Sequence, residues 1–127
     1  MILSAKISHT ILEFGRPVIV QLPDGHTKEQ FEEVISIVIV VWNAVVMDAW
    51  DKTNKFEKEL LSRLEVSPKQ AKIEMKRLIK RKKTKFKADP RAVGNYWVRA
   101  QDGSLFLAVK QDWMLNTHPQ IQFSINL

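Results

Sequence analysis

Residues 27–50, TKEQFEEVISIVIVVWNAVVMDAW, form the longest nearly uninterrupted apolar run in the chain, and any fold must bury much of it. The run opens on a helix start signal: Thr27 can cap the first backbone N–H groups, and Gln30, three residues on, can complete a capping box. From Phe31 a stripe at helical spacing passes through Val34, Ile35, Val38, Trp42, Val45, Val46 and Ala49. The other side carries Ile37, Val40, Ala44 and Met47, and a helix that is apolar all round is normally buried on all sides. The β-branched content of Val34–Trp42 also fits a buried strand. The cap, and a length far beyond the usual strand of about 5–6 residues, favour the helix. This segment is expected to be the central post of the fold.

The rest of the chain supplies partners for that post. Leu3, Ile7, Ile11 and Phe14 make a helical stripe that Gly15 can terminate, and 17–22 reads as an apolar connector ahead of a Pro23-Asp24-Gly25 turn. After Trp50, Thr53 or Asn54 can cap a helix carrying Phe56, Leu60, Leu61 and Leu64. Ser67-Pro68, with Gln70, then starts another helix that runs to about Lys83. Its apolar face is Ala71, Met75, Leu78 and Ile79, with Ile73 stranded among the basic residues. Past a loop over 84–94 the period changes from 3.6 to 2. Asp102-Gly103 is a strong hairpin signal, setting Tyr96, Val98 and Ala100 against Leu105, Leu107 and Val109, with Trp97 and Arg99 opposite Ala108 and Phe106. Residues 120–127 alternate cleanly and predict a third strand, since a lone hairpin is marginal in water. The expectation is one α+β domain over 1–127: a buried central helix packed by two to three others over 1–83, then a small three-stranded antiparallel sheet over 95–127.

Several chemistries lack their residues. There are no cysteines, hence no disulfide framework and no thiolate metal site. His9, His26 and His118 lie far apart, and no HExxH or Asp-rich loop supplies metal-ligand spacing; no cofactor is expected. The four glycines are too scattered for a phosphate-cradling loop. Glu74-Met75-Lys76 matches the ExK tripeptide of metal-dependent nucleases but falls in mid-helix rather than on a strand. Asp48 sits at the end of the apolar run, expected to be wet or paired with Lys52. A non-enzymatic protein is the expectation. The uncharged stretch from Val34 to Met47 is shorter than the roughly 20 residues a membrane span needs, and the first residues lack a basic and apolar leader pattern. The cytoplasm is the expected compartment, without membrane insertion.

Charge is the feature that stands out. The chain carries +6, but residues 69–91 hold eleven cations against Glu74 and Asp89, a local +9 that leaves −3 for the remainder. Such a belt suits nucleic-acid phosphates, which lysine and arginine bind through sequence-independent, salt-sensitive counterion release. Phe86, Tyr96 and Trp97 lie within or just past it, where aromatics can stack on unpaired bases. The candidate contacts are Lys69, Lys72, Lys76, Arg77, Lys80, Arg81, Lys83, Lys85, Lys87, Arg91 and Trp97.

Within LLSRLEVSPKQAKIEMKRLIKRKK, Leu64-Glu65-Val66-Ser67 resembles the Leu-Gly-Val-Ser turn of helix-turn-helix DNA-binding motifs. The resemblance implies that Lys69, Lys72, Lys76 and Lys80 enter a groove, with Arg77, Arg81 and Trp97 as further contacts. Glu65 stands in place of the turn glycine, Leu61 in place of a small residue and Glu74 at a core position, so an ordinary helical hairpin fits the same segment. The alternative to DNA or RNA binding is a protein-interaction or homodimer module, because the apolar faces are many for so small a chain.

Overall fold

The computed structural model describes residues 6–63 and 69–111. Among these the chain is α+β, with four helices followed by a two-stranded antiparallel sheet: α1 (Ile7–Ile19), α2 (Lys28–Asp51), α3 (Lys55–Arg63), α4 (Lys69–Thr84), β1 (Val93–Gln101) and β2 (Ser104–Gln111). The strand expected over 120–127, and the Leu64–Ser67 turn with Pro68, lie outside the described residues.

α2 starts where its cap dictates. The Thr27 hydroxyl accepts from the Gln30 N–H at 3.1 Å, and the Gln30 side chain accepts from the Thr27 N–H at 2.8 Å. Twenty-four residues later Lys52 turns the chain in the left-handed conformation, φ 54°. α2 packs against α1, α3, α4 and β1. From Val38 to Asp48 most of its residues are buried, whereas Val34, Ile37 and Val40 are only half-buried. By length and composition α2 is apolar enough to cross a membrane, yet 56% of its most apolar window is buried inside the chain's own fold, as in a core helix. The largest fully buried side chains, among them Ile11, Phe14, Trp42, Leu60, Met75 and Leu78, come from all four helices. Each such burial stabilises by roughly 1.5–3 kcal/mol.

α1 differs from expectation. It does not end at Gly15 but runs through Gly15 and Pro17 to Ile19. Gly15 is a packing residue: a Cβ there would lie 2.8 Å from both γ-methyls of Val38, so its missing side chain lets α1 press onto α2. Pro17 lacks an N–H and so leaves the Glu13 carbonyl without its helical donor. That carbonyl is taken by Arg81, whose Nη2 donates to it at 2.8 Å while Nε donates to the Phe14 carbonyl at 2.9 Å.

Three polar side chains of α2 fix its neighbours. Trp42 Nε1 donates to the Arg91 carbonyl at 2.6 Å. Asn43 bonds Val93 twice, donating to its carbonyl at 2.9 Å and accepting from its N–H at 2.8 Å, so that a side chain imitates a neighbouring strand. Asp48 is neither wet nor paired with Lys52. It is buried, and its carboxylate accepts from the Phe56 and Glu57 N–H groups at 2.9 Å each, capping α3 from across the α2–α3 turn.

The hairpin register is the expected one. Tyr96 pairs with Val109, Trp97 with Ala108, Val98 with Leu107, Arg99 with Phe106 and Ala100 with Leu105. Asp102 and Gly103 turn at φ 53° and 76°, the two left-handed positions of a type I′ turn.

Replacing Gly15 by alanine is expected to cost about 1–2 kcal/mol by overpacking, despite the gain of up to about 1 kcal/mol in helix propensity. In a Val38→Ala background the same change becomes neutral or stabilising. Urea denaturation of the four chains of this cycle measures both.

Candidate nucleic-acid interface

α4 divides its cations by direction. Met75, Leu78, Ile79 and Lys82 face the core. Lys69, Lys72, Lys76 and Lys80, at i, i+3, i+7 and i+11, share the outward side, a spacing that keeps side chains on one helix face. None of the four has a carboxylate partner among the described residues. Ile73 lies beside them, 43% exposed.

The other predicted cations meet the protein's own groups. Arg77 lies 3.5 Å from Glu74, whose other oxygen accepts from Gln70 at 2.8 Å. Arg81 is drawn to two α1 carbonyls, that of Glu13 freed by Pro17 and that of Phe14, and lies against the Phe86 ring. Lys83 bonds Glu57 of α3, and Lys85 reaches Glu13 at 3.8 Å. Arg91 grips Asp89 with two hydrogen bonds, Nε at 2.9 Å and Nη2 at 2.6 Å, and donates to Thr10 at 3.0 Å. The hydrogen bonds to Asp89 raise the Arg91 pKa further above its ordinary value, against the opposing effect of burial. The +9 of the sequence is therefore not a +9 surface. Lys69, Lys72, Lys76, Lys80 and Lys87 remain exposed or half-exposed without an ion pair among the described residues.

Lys82 is turned inward. It is 3% exposed, its Nζ donates to the Phe86 and Asp89 carbonyls at 2.8 Å each, and it sits 4.3 Å from the centre of the Trp42 ring. Burial lowers its pKa from 10.5 to about 8, with the nearby Asp89 charge pulling the other way. A cleft of about 530 Å³ opens beside it, walled by Val45, Val46, Ala49, Trp50 and Pro90. The carboxylates that line it are already engaged, Asp48 on α3, Glu57 on Lys83 and Asp89 on Arg91. Lys82 itself is held by two carbonyls, which suits a structural clamp better than a nucleophile.

The aromatic candidates separate as well. Phe86 belongs to the core side, with ring centroids 5.6 Å from Phe14 and 6.0 Å from Trp42. Tyr96 is half-buried on the inner face of the hairpin, where burial, and after it the charge of Glu32, raises its pKa against a hydrogen bond with Ser36. Trp97 stands on the outer face, 51% exposed, and Phe106 on the same face is 54% exposed. Phe106, Arg99 and Lys110 were not among the predicted contacts, although the strand alternation that set Trp97 and Arg99 opposite Ala108 and Phe106 carried the signal for the first two. His9 is exposed on α1, and His26 bonds the Pro23 carbonyl at 3.0 Å and stacks on Phe31; His118 lies outside the described residues. Among the described residues no three His, Cys, Asp or Glu side chains converge on a metal position.

Two measurements separate clamp from surface. Arg81→Gln and Arg91→Gln should each destabilise by about 2–4 kcal/mol, since each leaves buried or half-buried partners unsatisfied. Single changes of Lys69, Lys72, Lys76 or Lys80 to Gln should stay within about 0.5 kcal/mol of the parent. Lys82 has its own signature. From about pH 8 to 10.5 the folded chain holds the amine neutral while the unfolded chain keeps its proton, so stability rises with pH. Relative to Lys82→Met, the unfolding free energy of the parent should therefore climb across that window and stay level below about pH 7, as read by urea melts at each pH.

The chain matches no protein-family model, no curated protein and no solved structure.

Proposed function

We propose that the protein is a non-enzymatic, cytoplasmic nucleic-acid binder that meets backbone phosphates through the outward face of α4. The observation that carries this reading is the row Lys69, Lys72, Lys76 and Lys80, four ammonium groups along one helix face without a carboxylate partner among the described residues. Like charges at this spacing repel one another. A polyanion relieves that repulsion and gains entropy from the counterions it releases. Lys87, exposed in the loop after α4 and without an ion pair among the described residues, adds a further cation. The reading narrows the predicted belt: Arg81 and Arg91 serve the fold, Arg77, Lys83 and Lys85 lie beside carboxylates of the chain, and Trp97 belongs to a separate surface on the hairpin.

The test is a salt series with labelled duplex and single-stranded oligonucleotides, followed by anisotropy. If all four lysines meet phosphates of a duplex, changing them together to Gln should make the slope of log K against log salt shallower by about 3–4. A slope that the four changes leave untouched removes the proposal.

A second reading, self-association, draws on Val20, which is 66% exposed, and on a groove of about 140 Å³ between α1, α2 and α4 lined by Val18, Ile37, Ala71, Met75 and Leu78. Sedimentation equilibrium decides it: a dimer that Val20→Lys dissociates supports it, and a monomer at high concentration ends it.

A further inference from the structure

The hairpin presents two unlike faces. Val98 is buried and Tyr96, Leu105, Leu107 and Val109 are half-buried on the inner one, which packs toward the helices. The outer face carries Asn95, Trp97, Arg99 and Gln101 on β1, and Ser104, Phe106, Ala108 and Lys110 on β2. Leaving two large aromatics half-exposed on the solvent side of a two-stranded sheet gives up hydrophobic stabilisation that the fold does not recover.

Their arrangement has a chemical character. Arg99 pairs directly with Phe106, and Trp97 pairs directly with Ala108. The two aromatics are thus diagonal neighbours, positions that are roughly 7–8 Å apart with Cβ atoms somewhat closer. Beside Trp97 a recess of about 490 Å³ runs along β1, bordered by Trp97, Val98, Arg99, Ala100 and Ala108 and by Lys28 of α2. That is within the range of roughly 300–1,000 Å³ in which small-molecule groups are held. Lys28 also pairs with Glu32 at 3.3 Å. Arg99 and Lys110 have no ion pair among the described residues, and the strand positions of this face hold no carboxylate. A surface of flat rings interleaved with unopposed cations is complementary to groups that are themselves flat, apolar on their faces and joined by phosphates.

We propose that the outer face of the β1–β2 hairpin is a binding site for unpaired nucleobases, with Trp97 and Phe106 as stacking platforms and Arg99 and Lys110 holding the adjoining phosphates. The proposal rests on the reading of α4 as a phosphate-binding face and specifies its ligand as single-stranded nucleic acid. Base–aromatic stacking is sequence-tolerant and contributes affinity that salt does not screen, unlike the lysine row. A paired duplex hides its base faces and offers this surface only phosphates.

The experiment is anisotropy of labelled 15-nucleotide oligo-dT and oligo-U, and of a blunt 15-base-pair duplex, with the full chain. Trp97→Ala and Phe106→Ala are each expected to weaken both single strands about 10-fold or more, to leave the duplex within about twofold, and to leave the salt slope unchanged. Trp97→Phe should restore most of the loss. Both aromatics are exposed, so thermal melts of the variants should match the parent. Oligo-dT and oligo-U binding alike marks stacking without sugar recognition, and a preference for oligo-U adds a 2′-hydroxyl contact; either is compatible with the site. If the alanine variants bind single strands as the parent does while the α4 variant loses its salt slope, the hairpin proposal fails and the α4 reading stands. If the slope is also untouched by the α4 changes, both fail. If no oligonucleotide binds and Trp97→Ala instead converts a dimer to a monomer, the face is an interface between copies and the proposal is overturned.

Discussion

The fold depends on polar side chains of packed helices finding partners in the backbone of the next element. α2 cannot bury its flanks without burying Trp42 Nε1, the Asn43 amide and the Asp48 carboxylate, and each unpaired group would cost a few kcal/mol. Each is satisfied by main chain from a different neighbour: the Arg91 carbonyl, both polar groups of Val93, and the first N–H groups of α3. These contacts set direction as well as energy. Asp48 fixes where α3 starts and Asn43 fixes where β1 starts, while Trp42, Lys82 and Arg91 pin the loop between α4 and β1 along its length.

The same rule explains why the basic segment divides. The long side chains of α4 that point toward the body meet backbone carbonyls of the segments packed against it. Arg81 replaces the N–H that Pro17 removes from α1, and Lys82 gathers the Phe86 and Asp89 carbonyls at the end of its own helix. Burying the Lys82 ammonium is costly, as its depressed pKa records, and the Trp42 ring beneath it returns part of that cost through its negative face. Arg91, pinned to Asp89, holds the other end of the loop against Thr10 of α1. A charge count assigns these residues to a ligand, but the fold has already used them.

What was legible in the sequence is local. The Thr27 capping box, the hairpin register and the Asp102-Gly103 turn follow from side-chain spacing within a few residues, and the outward row of α4 follows from helical periodicity. What was not legible depends on residues distant along the chain. Gly15 looks like a helix stop until Val38 is placed against it, and Pro17 looks like a break until Arg81, more than sixty residues on, supplies the missing donor. Asp48 looks wet or paired with Lys52 in sequence because the helix it caps begins beyond the next turn. Phe86 and Trp97 are both aromatics near the end of the basic segment, yet one closes a ring cluster with Phe14 and Trp42 and the other faces solvent.

Where a sequence breaks a local rule and the fold provides no compensation, the breach needs another account. α4 provides one. Its last turn carries Arg81, Lys82 and Lys83, which the negative end of the helix dipole favours, but its first turn holds Lys69 and Lys72 and no acidic residue. Cations at that end oppose the dipole and one another, and neither lysine has an ion pair among the described residues to offset this. Neither Lys69 nor Lys72 is among the buried residues of α4. A phosphate backbone lying along the helix would supply the missing negative charge at that end and along the row that follows it.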